Sequence, residues 1–290
     1  MGKHTAKHKK IGLALGGGGA KGFAHIGVIK ALEAAGIEID YIAGTSMGAL
    51  IGGYYAATKD IKTLEELSLG IKKSDIFPIS EIIHMKNGSL FQGETIVKIL
   101  DHHLTDIKIE DCKIPFAAVA TDVKTGDEVE LKHGSLVDAI RASVAIPMVF
   151  SPQEIGGRVL MDGGFSNPVP ADIVREMGAD TVIAVDVSSR WITAPDEILN
   201  TRDMYSLFRN ALSVIEYQIA KNILKGADII LRPPVLTYDW TAFDKSAEII
   251  KIGQRELELN LKDIRKKTGY RAPRRTIGEK FFDFIVNKPH

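Results

Sequence analysis

The sequence predicts an α/β protein built on a mainly parallel central sheet with helices covering both faces. Three observations lead to this reading. Short apolar runs suited to buried strands alternate with segments of helical spacing, the order that yields parallel strands joined by crossover helices. Glycines stand where runs hand over to helices, at 16–19, 44 and 48, and where helices end, at 36 and 178. The tripeptide Gly-Ala-Asp occurs at 178–180 and again at 226–228, each time between a helical segment and an apolar run. The late part of the chain therefore repeats the crossover and adds to the same sheet. With 290 residues, 45% of them hydrophobic, the chain is long enough for a sizeable core.

The elements follow in order. Residues 1–10 are a polar, basic tail, Ile11–Leu15 is a strand, and residues 16–22 are a glycine loop. Over 23–35, Ile26, Ile29 and Leu32 share a helical face that stops at Gly36. Residues 39–43 form a second strand, turning at 44–48 into a helix of small residues over 49–57. Further buried strands are expected at 116–121, 159–161 and 181–187, and helices at 63–73, 94–104, 136–143 and 171–177. Phe208, Leu212, Ile215, Ile219 and Ile223 form an apolar stripe at helical spacing, ahead of a strand at 229–231 closed by Pro233 and Pro234. A last helix, 245–267, carries Ile250, Leu257, Leu261 and Ile264 on one face.

Basic and acidic residues balance at 37 each, which argues against a nucleic-acid partner. The balance conceals unequal parts. Residues 1–10 carry four lysines and no acid, and 262–275 carry seven basic residues against Asp263, which leaves −10 on the remainder. On one face, these ends would hold the chain against anionic lipid at ~1 kcal/mol per basic residue; as solvated tails they would add nothing. Cys112, the single cysteine, excludes an intrachain disulfide framework and a zinc site of several thiolates, and reads as a packed residue ahead of a strand. No apolar run approaches the ~18 residues of a membrane span. Residues 11–15 are too short for a signal peptide, so a cytoplasmic location is expected, peripheral at the membrane if the basic ends act together.

Gly17-Gly18-Gly19-Ala20-Lys21-Gly22 fits G-x-G-x-x-G between strand and helix, the context of a dinucleotide fingerprint. Asp40 lies at the right distance for a ribose but at the start of its strand, where a ribose-binding acid belongs at the end. A P-loop fails because Gly22, and not Ser or Thr, follows Lys21. An anion hole remains: successive glycines let backbone N–H groups converge on a negative oxygen at a helix N-terminus. A tight strand-to-helix turn is the plainer alternative, although it needs fewer glycines.

Gly44-Thr45-Ser46-Met47-Gly48 fits G-x-S-x-G between strand and helix, the setting of a nucleophile elbow, with Gly44 and Gly48 allowing close approach around Ser46. No histidine suits as its base. Beyond residue 133 only the terminal His290 remains, His25 is expected to pack or meet solvent, and His102 and His103 diverge on a helix and read as solvated rather than metal-bound. Asp162 ends the 158–161 strand before Gly163-Gly164 and would share the elbow's sheet edge if the strands are parallel. A carboxylate there can deprotonate serine directly. By itself, Asp162 reads equally as a turn aspartate before glycine.

Together the glycine loop, the G-x-S-x-G elbow and Asp162-Gly163-Gly164 resemble the patatin-like phospholipase family, in particular its bacterial members related to neuropathy target esterase. Ala142-Ser143-Val144-Ala145-Ile146-Pro147, Asn167-Pro168-Val169-Pro170 and Ala120-Thr121-Asp122 add to the likeness, which covers residues 11–190. The resemblance implies a three-layer sandwich with 11–190 as the catalytic domain; the repeated Gly-Ala-Asp makes 191–290 an extension of helix, added strand, helix and basic tail packed on the same domain. The resemblance also implies a serine acyl hydrolase of lipid esters needing no metal or cofactor, with Ser46 as nucleophile, Asp162 as base, and the N–H groups of Gly17, Gly18 and Gly19 as the oxyanion hole. Lys21 stands where many members have arginine and is a candidate contact for a substrate anion. Asp75 to Phe91, rich in large apolar residues, is a candidate lid or acyl tunnel, with ordinary core packing as the plainer alternative. With no histidine in the pair, activity is expected to lack a titration limb near pH 6.5. The rivals are a non-catalytic lipid-binding protein on the same scaffold and a dinucleotide-dependent oxidoreductase. The sequence leaves the oligomeric state and the lipid open.

Overall fold

A computed structural model describes residues 9–71, 103–147, 149–188 and 204–270. Its strands are β1 (Ile11–Leu15), β2 (Tyr41–Thr45), β3 (Phe116–Asp122), β4 (Glu128–Leu131), β5 (Gln153–Ile155), β6 (Arg158–Asp162), β7 (Thr181–Val185) and β8 (Ile229–Leu231). The helices are α1 (Ala24–Ala34), α2 (Met47–Thr58), α3 (Ile61–Gly70), α4 (Leu136–Ser143), α5 (Ala171–Glu176), α6 (Met204–Ile223) and α7 (Ser246–Thr268). The strands form one sheet in the order β5-β6-β3-β2-β1-β7-β8, with β4 beside β3 off that path. From β3 through β2, β1 and β7 to β8 every pairing is parallel. β4 and β6 run antiparallel to β3, and β5 antiparallel to β6. The chain is thus an α/β fold with a mainly parallel sheet, and β8 extends it beside β7 as the second Gly-Ala-Asp predicts.

Alternation along the strands divides the core into two layers. Ile11, Leu13 and Leu15 point into the larger layer with α1, α2, α4 and α7. Ala14, Ala43 and Ala117 point into the smaller one, where Ile173 and Val174 of α5 and Ala220 of α6 pack. Small residues on this second face let α5 lie close: a Cβ on Gly12 would stand 1.8 Å from Val174 Cγ1. α1 and α7 cross at two glycines. A Cβ on Gly27 would meet the Ile250 carbonyl oxygen at 1.9 Å, and one on Gly253 the Ala24 carbonyl oxygen at 2.0 Å.

α7 ends at the amino edge of the sheet, where the Lys9 N–H donates to the Thr268 carbonyl at 3.4 Å and the Glu38 N–H to Tyr270 Oη at 3.2 Å. The described parts of both basic ends therefore meet at the edge where β1 begins. Among the described residues no helix is long and apolar enough to cross a membrane.

Three local expectations change. β4 and β5 are short, partly exposed strands whose sequences lack an apolar run. The stripe on α6 does not face the core as a unit: Ile215 is 46% exposed, while Ala220 and, just beyond the helix, Leu224 are buried. β6 is antiparallel to its neighbour, against the parallel arrangement assumed for Asp162. The candidate lid, His102 and His290 lie outside the described residues.

Candidate active site

β2 delivers Ser46 to the carboxyl edge of the sheet. Its φ of 53° and ψ of −122° lie in a region that non-glycine residues rarely occupy, at a cost of ~1–3 kcal/mol. The surroundings enforce it. A Cβ on Gly44 would stand 2.4 Å from the Gly48 carbonyl oxygen, and one on Gly48 would stand 2.1 Å from that of Leu15. The helix start crowds Gly44 and the end of β1 crowds Gly48, so that only glycine fits at either position. The Ser46 N–H donates to Ser143 Oγ of α4 at 2.9 Å, and Thr45 Oγ donates to the Asn167 carbonyl at 2.7 Å. Ser46 itself is buried at 6% exposure and stands at the N-terminus of α2, whose dipole favours negative charge there.

Asp162 reaches the same level by a route the sequence did not suggest. β3 outruns β2: Thr45 pairs with Val119, and the next β3 residue, Ala120, pairs with Asp162. β6 descends along this overhang and ends level with the elbow. The turn after Asp162 hugs β3, since a Cβ on Gly163 would lie 2.3 Å from the Val119 carbonyl oxygen. Thr121 Oγ donates to the Asp162 carbonyl at 2.9 Å, and the Gly164 N–H donates to Asp162 Oδ1 at 2.8 Å. The other oxygen, Oδ2, is buried without a hydrogen-bond partner. Burial pushes the carboxyl up to about 6, against the Ser46 hydroxyl and the Gly164 N–H, which hold it down. The hydroxyl is near enough to act on the carboxylate, yet the pair makes no closed hydrogen bond. Such loose geometry is common before substrate tightens a site.

The glycine loop passes directly against Ser46, for a Cβ on Gly17 would lie 3.3 Å from Ser46 Cβ. Its N–H groups are not equivalent. Gly16 donates to the Val185 carbonyl at 3.1 Å, Gly17 to that of Pro168 at 3.0 Å and Ala20 to that of Trp240 at 2.7 Å. Within the expected set of Gly17, Gly18 and Gly19, the Gly17 N–H is the one engaged by a carbonyl, that of Pro168. Among the described hydrogen bonds none uses the N–H of Gly18, Gly19 or Met47. Gly19 has a φ of 57°, and Trp240 covers it so closely that a Cβ would meet the Trp240 carbonyl oxygen at 2.5 Å.

His25 is buried on α1 and faces the base of the loop. Its Nε2 lies 2.7 Å from the Gly16 carbonyl oxygen, which can only accept, so Nε2 carries the proton. Nδ1 is then a buried acceptor without a partner, and burial pushes the imidazole down to about 4 despite the Gly16 contact. The neutral ring supports the loop. Lys21 is also buried, at 6% exposure, and its charge acts on Glu216 of α6. Asp40 accepts the Ile11 N–H at 2.7 Å at the opposite, amino edge, far from any place a ribose beside the loop would occupy. Burial pushes the Cys112 thiol up to about 11, which keeps it protonated and inert. No cluster of three or more His, Cys, Asp or Glu among the described residues is arranged to hold a metal ion.

Reasoning from the sequence missed Ser143, Pro168, Glu216 and Trp240. The first two lie within the stretches Ala142–Pro147 and Asn167–Pro170, but nothing local assigns them a partner. Glu216 and Trp240 sit far along the chain and carry no motif.

A strained serine at a strand-to-helix elbow, a buried aspartate level with it and a glycine loop alongside define the class as an α/β protein with a serine–aspartate pair at the carboxyl edge of its sheet. Residues 13–175 match the family model described as patatin-like phospholipase. An uncharacterised NTE family protein of Mycobacterium tuberculosis is 40% identical over 181 residues, covering 62% of this chain and 49% of the relative. Human patatin-like phospholipase domain-containing protein 6 is 39% identical over 186 residues, covering 62% of this chain and 13% of that protein. The matched region thus spans about half the length of the mycobacterial relative and a small part of the human one. Among solved structures, VipD from Legionella pneumophila shares the fold, with a TM-score of 0.51 at 15% identity over 88% of this chain and 67% of VipD. The chain belongs to the patatin-like phospholipase family.

Proposed function

We propose that this chain is a serine acyl hydrolase that cleaves carboxylic ester bonds of lipids, phospholipid or lysophospholipid, with Ser46 as nucleophile and Asp162 as base. The observation that carries this reading is the pairing of strained Ser46 with a buried carboxylate that keeps one oxygen unpartnered at the same level of the sheet edge. Ser46 Oγ attacks the ester carbonyl as its proton passes to Asp162. The oxyanion is received by the N–H groups of Gly18 and Gly19, with Met47 at the N-terminus of α2 adding to the field. Asp162 returns the proton to the departing alcohol, then takes one from the water that opens the acyl-enzyme. This chemistry requires neither metal nor cofactor.

The elevated Asp162 pKa alters the expected pH profile. Only the ionised carboxylate accepts a proton, so activity should rise with pH through about 6. A limb in that range belongs to Asp162, although it falls near the histidine range where none was expected.

Contact with anionic membrane through the described basic residues, Lys9 and Lys10 and those in the last turns of α7, would engage the amino edge, away from Ser46. It would tether the protein without presenting the elbow to the lipid, so substrate would enter by another face. Vesicle co-sedimentation that is lost in high salt supports such a tether; salt-insensitive binding opposes it.

A fluorophosphonate probe should label the wild type but not Ser46→Ala. Across a panel of acyl esters and phospholipids, turnover by the wild type should be lost in Ser46→Ala. Hydrolysis that survives in that variant would overturn the assignment.

A further inference from the structure

The family match ends at residue 175, yet the site continues beyond it. α6 brings Glu216 back over the turn that follows Asp162. A Cβ on Gly164 would stand 2.7 Å from Glu216 Oε1, 3.3 Å from its Cδ, and 3.1 Å from Asp162 Oδ1. Only a glycine leaves room there for both side chains. The two carboxylates lie within about 6 Å of one another, the range in which charges displace each other's titration. Lys21 approaches from the glycine loop, its stem passing Gly18 with Cε 3.7 Å from where a Cβ on that glycine would be. Its ammonium favours the ionised form of Glu216, whereas burial and the Asp162 charge oppose it.

We propose that Glu216 is a positioning residue of this site: held at the Gly164 turn between Asp162 and Lys21, its carboxylate sets the electrostatic field in which Asp162 takes the Ser46 proton. The proposal rests on the hydrolase reading above. During attack the Ser46 O–H bond breaks, the O–H bond of Asp162 forms, and the electron pair goes to the new bond between Ser46 Oγ and the carbonyl carbon. Negative charge thus leaves Asp162 and moves toward the oxyanion. Above about pH 7, where Glu216 is ionised, a second anion behind Asp162 favours that transfer, and Lys21 moderates it. The charged groups facing Glu216 are Asp162 from the end of β6 and Lys21 from the loop, while the groups acting on Asp162 are the Ser46 hydroxyl and the Gly164 N–H. The two carboxyls titrate as a pair, so their apparent steps belong to both. An exposed counter-ion for Lys21 would satisfy charge balance from solvent; Glu216 lies against the catalytic turn.

The test is the pH profile of kcat/KM for wild type, Glu216→Gln and Glu216→Asp. Glu216→Gln keeps the shape and removes the step near 7, so its acid limb should keep the Asp162 step near 6 and be complete at lower pH than in the wild type. Glu216→Asp should stay near the wild-type limb. An unmoved limb in Glu216→Gln overturns the proposal. A second measurement is independent of turnover: a carboxyl-13C titration of Asp162 in the Ser46→Ala background, with and without Glu216→Gln. A downward shift with Glu216→Gln supports the coupling, and identical titrations overturn it. That NMR shift, found together with a wild type that hydrolyses no ester, would overturn the hydrolase reading rather than the coupling.

Discussion

Asp162→Asn should remove hydrolysis and at the same time make the chain more stable at neutral pH, because the wild-type fold holds an ionised carboxylate where burial disfavours charge. The native group titrates at about 6 against 3.8 for a free aspartate. Below pH 3.8 both states hold the proton and nothing is lost. As pH rises through the native value, the unfolded chain gains from ionising first, and the stability linked to this group falls away. The complete loss above pH 7 is about 3 kcal/mol, since each tenfold difference in proton affinity between the folded and unfolded chain is worth about 1.4 kcal/mol. At pH 5 the same relation gives about half of that. The amide of the variant would still accept the Gly164 N–H through its carbonyl oxygen, so the substitution changes charge more than contacts. Urea unfolding of both proteins at pH 8 and pH 5, with ester turnover measured alongside, reads the prediction. The variant should gain roughly 2–3 kcal/mol at pH 8 and about half as much at pH 5. Equal gains at both values, or a loss at pH 8, would refute the argument that burial of charge governs Asp162.

His25→Gln should keep the activity limb near pH 6 in place, since His25 is neutral there; disappearance of the limb in pH–rate measurements would transfer the base role to His25. The depressed imidazole gives stability that is full above 6.5 and lost as pH falls through about 4, so the variant should show a flatter fall in urea-measured stability over that window. Ser143→Ala leaves the buried Ser46 N–H without its acceptor, which should cost about 1–3 kcal/mol in urea unfolding and reduce kcat through a misplaced nucleophile. Gly253→Ala drives a Cβ against the Ala24 carbonyl, so α1 and α7 must separate, and a thermal scan should show a loss of about 1–3 kcal/mol.

The elbow was legible because its pattern is local: Gly44 and Gly48 stand two residues either side of Ser46. The close approach at Gly44 arises within the strand-to-helix turn, whereas the one at Gly48 comes from Leu15 of β1. The glycine loop was legible in the same sense as a strand-to-helix connection beside the elbow, but not in its details. Which N–H groups remain open depends on Pro168 and Trp240, residues that spacing along the chain cannot place beside it. Asp162 was found for a reason that needed revision. Parallel strands would have brought its carboxylate to the elbow's edge, whereas the observed strand is antiparallel and arrives there because β3 extends past β2. The strand's identity was written in the sequence; its direction depended on which neighbour it paired with.

By itself the sequence determined the alternation of strands and helices, the strained serine and the α/β class, since each follows from periodicity or from steric demands within a few residues. Tertiary structure alone decided how charge is arranged around that serine. Burial raises Asp162 and silences His25, and the packing of α6 and the glycine loop brings Glu216 to the turn after Asp162, within reach of the Lys21 charge. Desolvation and Coulomb interactions depend on distance through space, and the residues responsible are separated by up to two hundred positions along the chain.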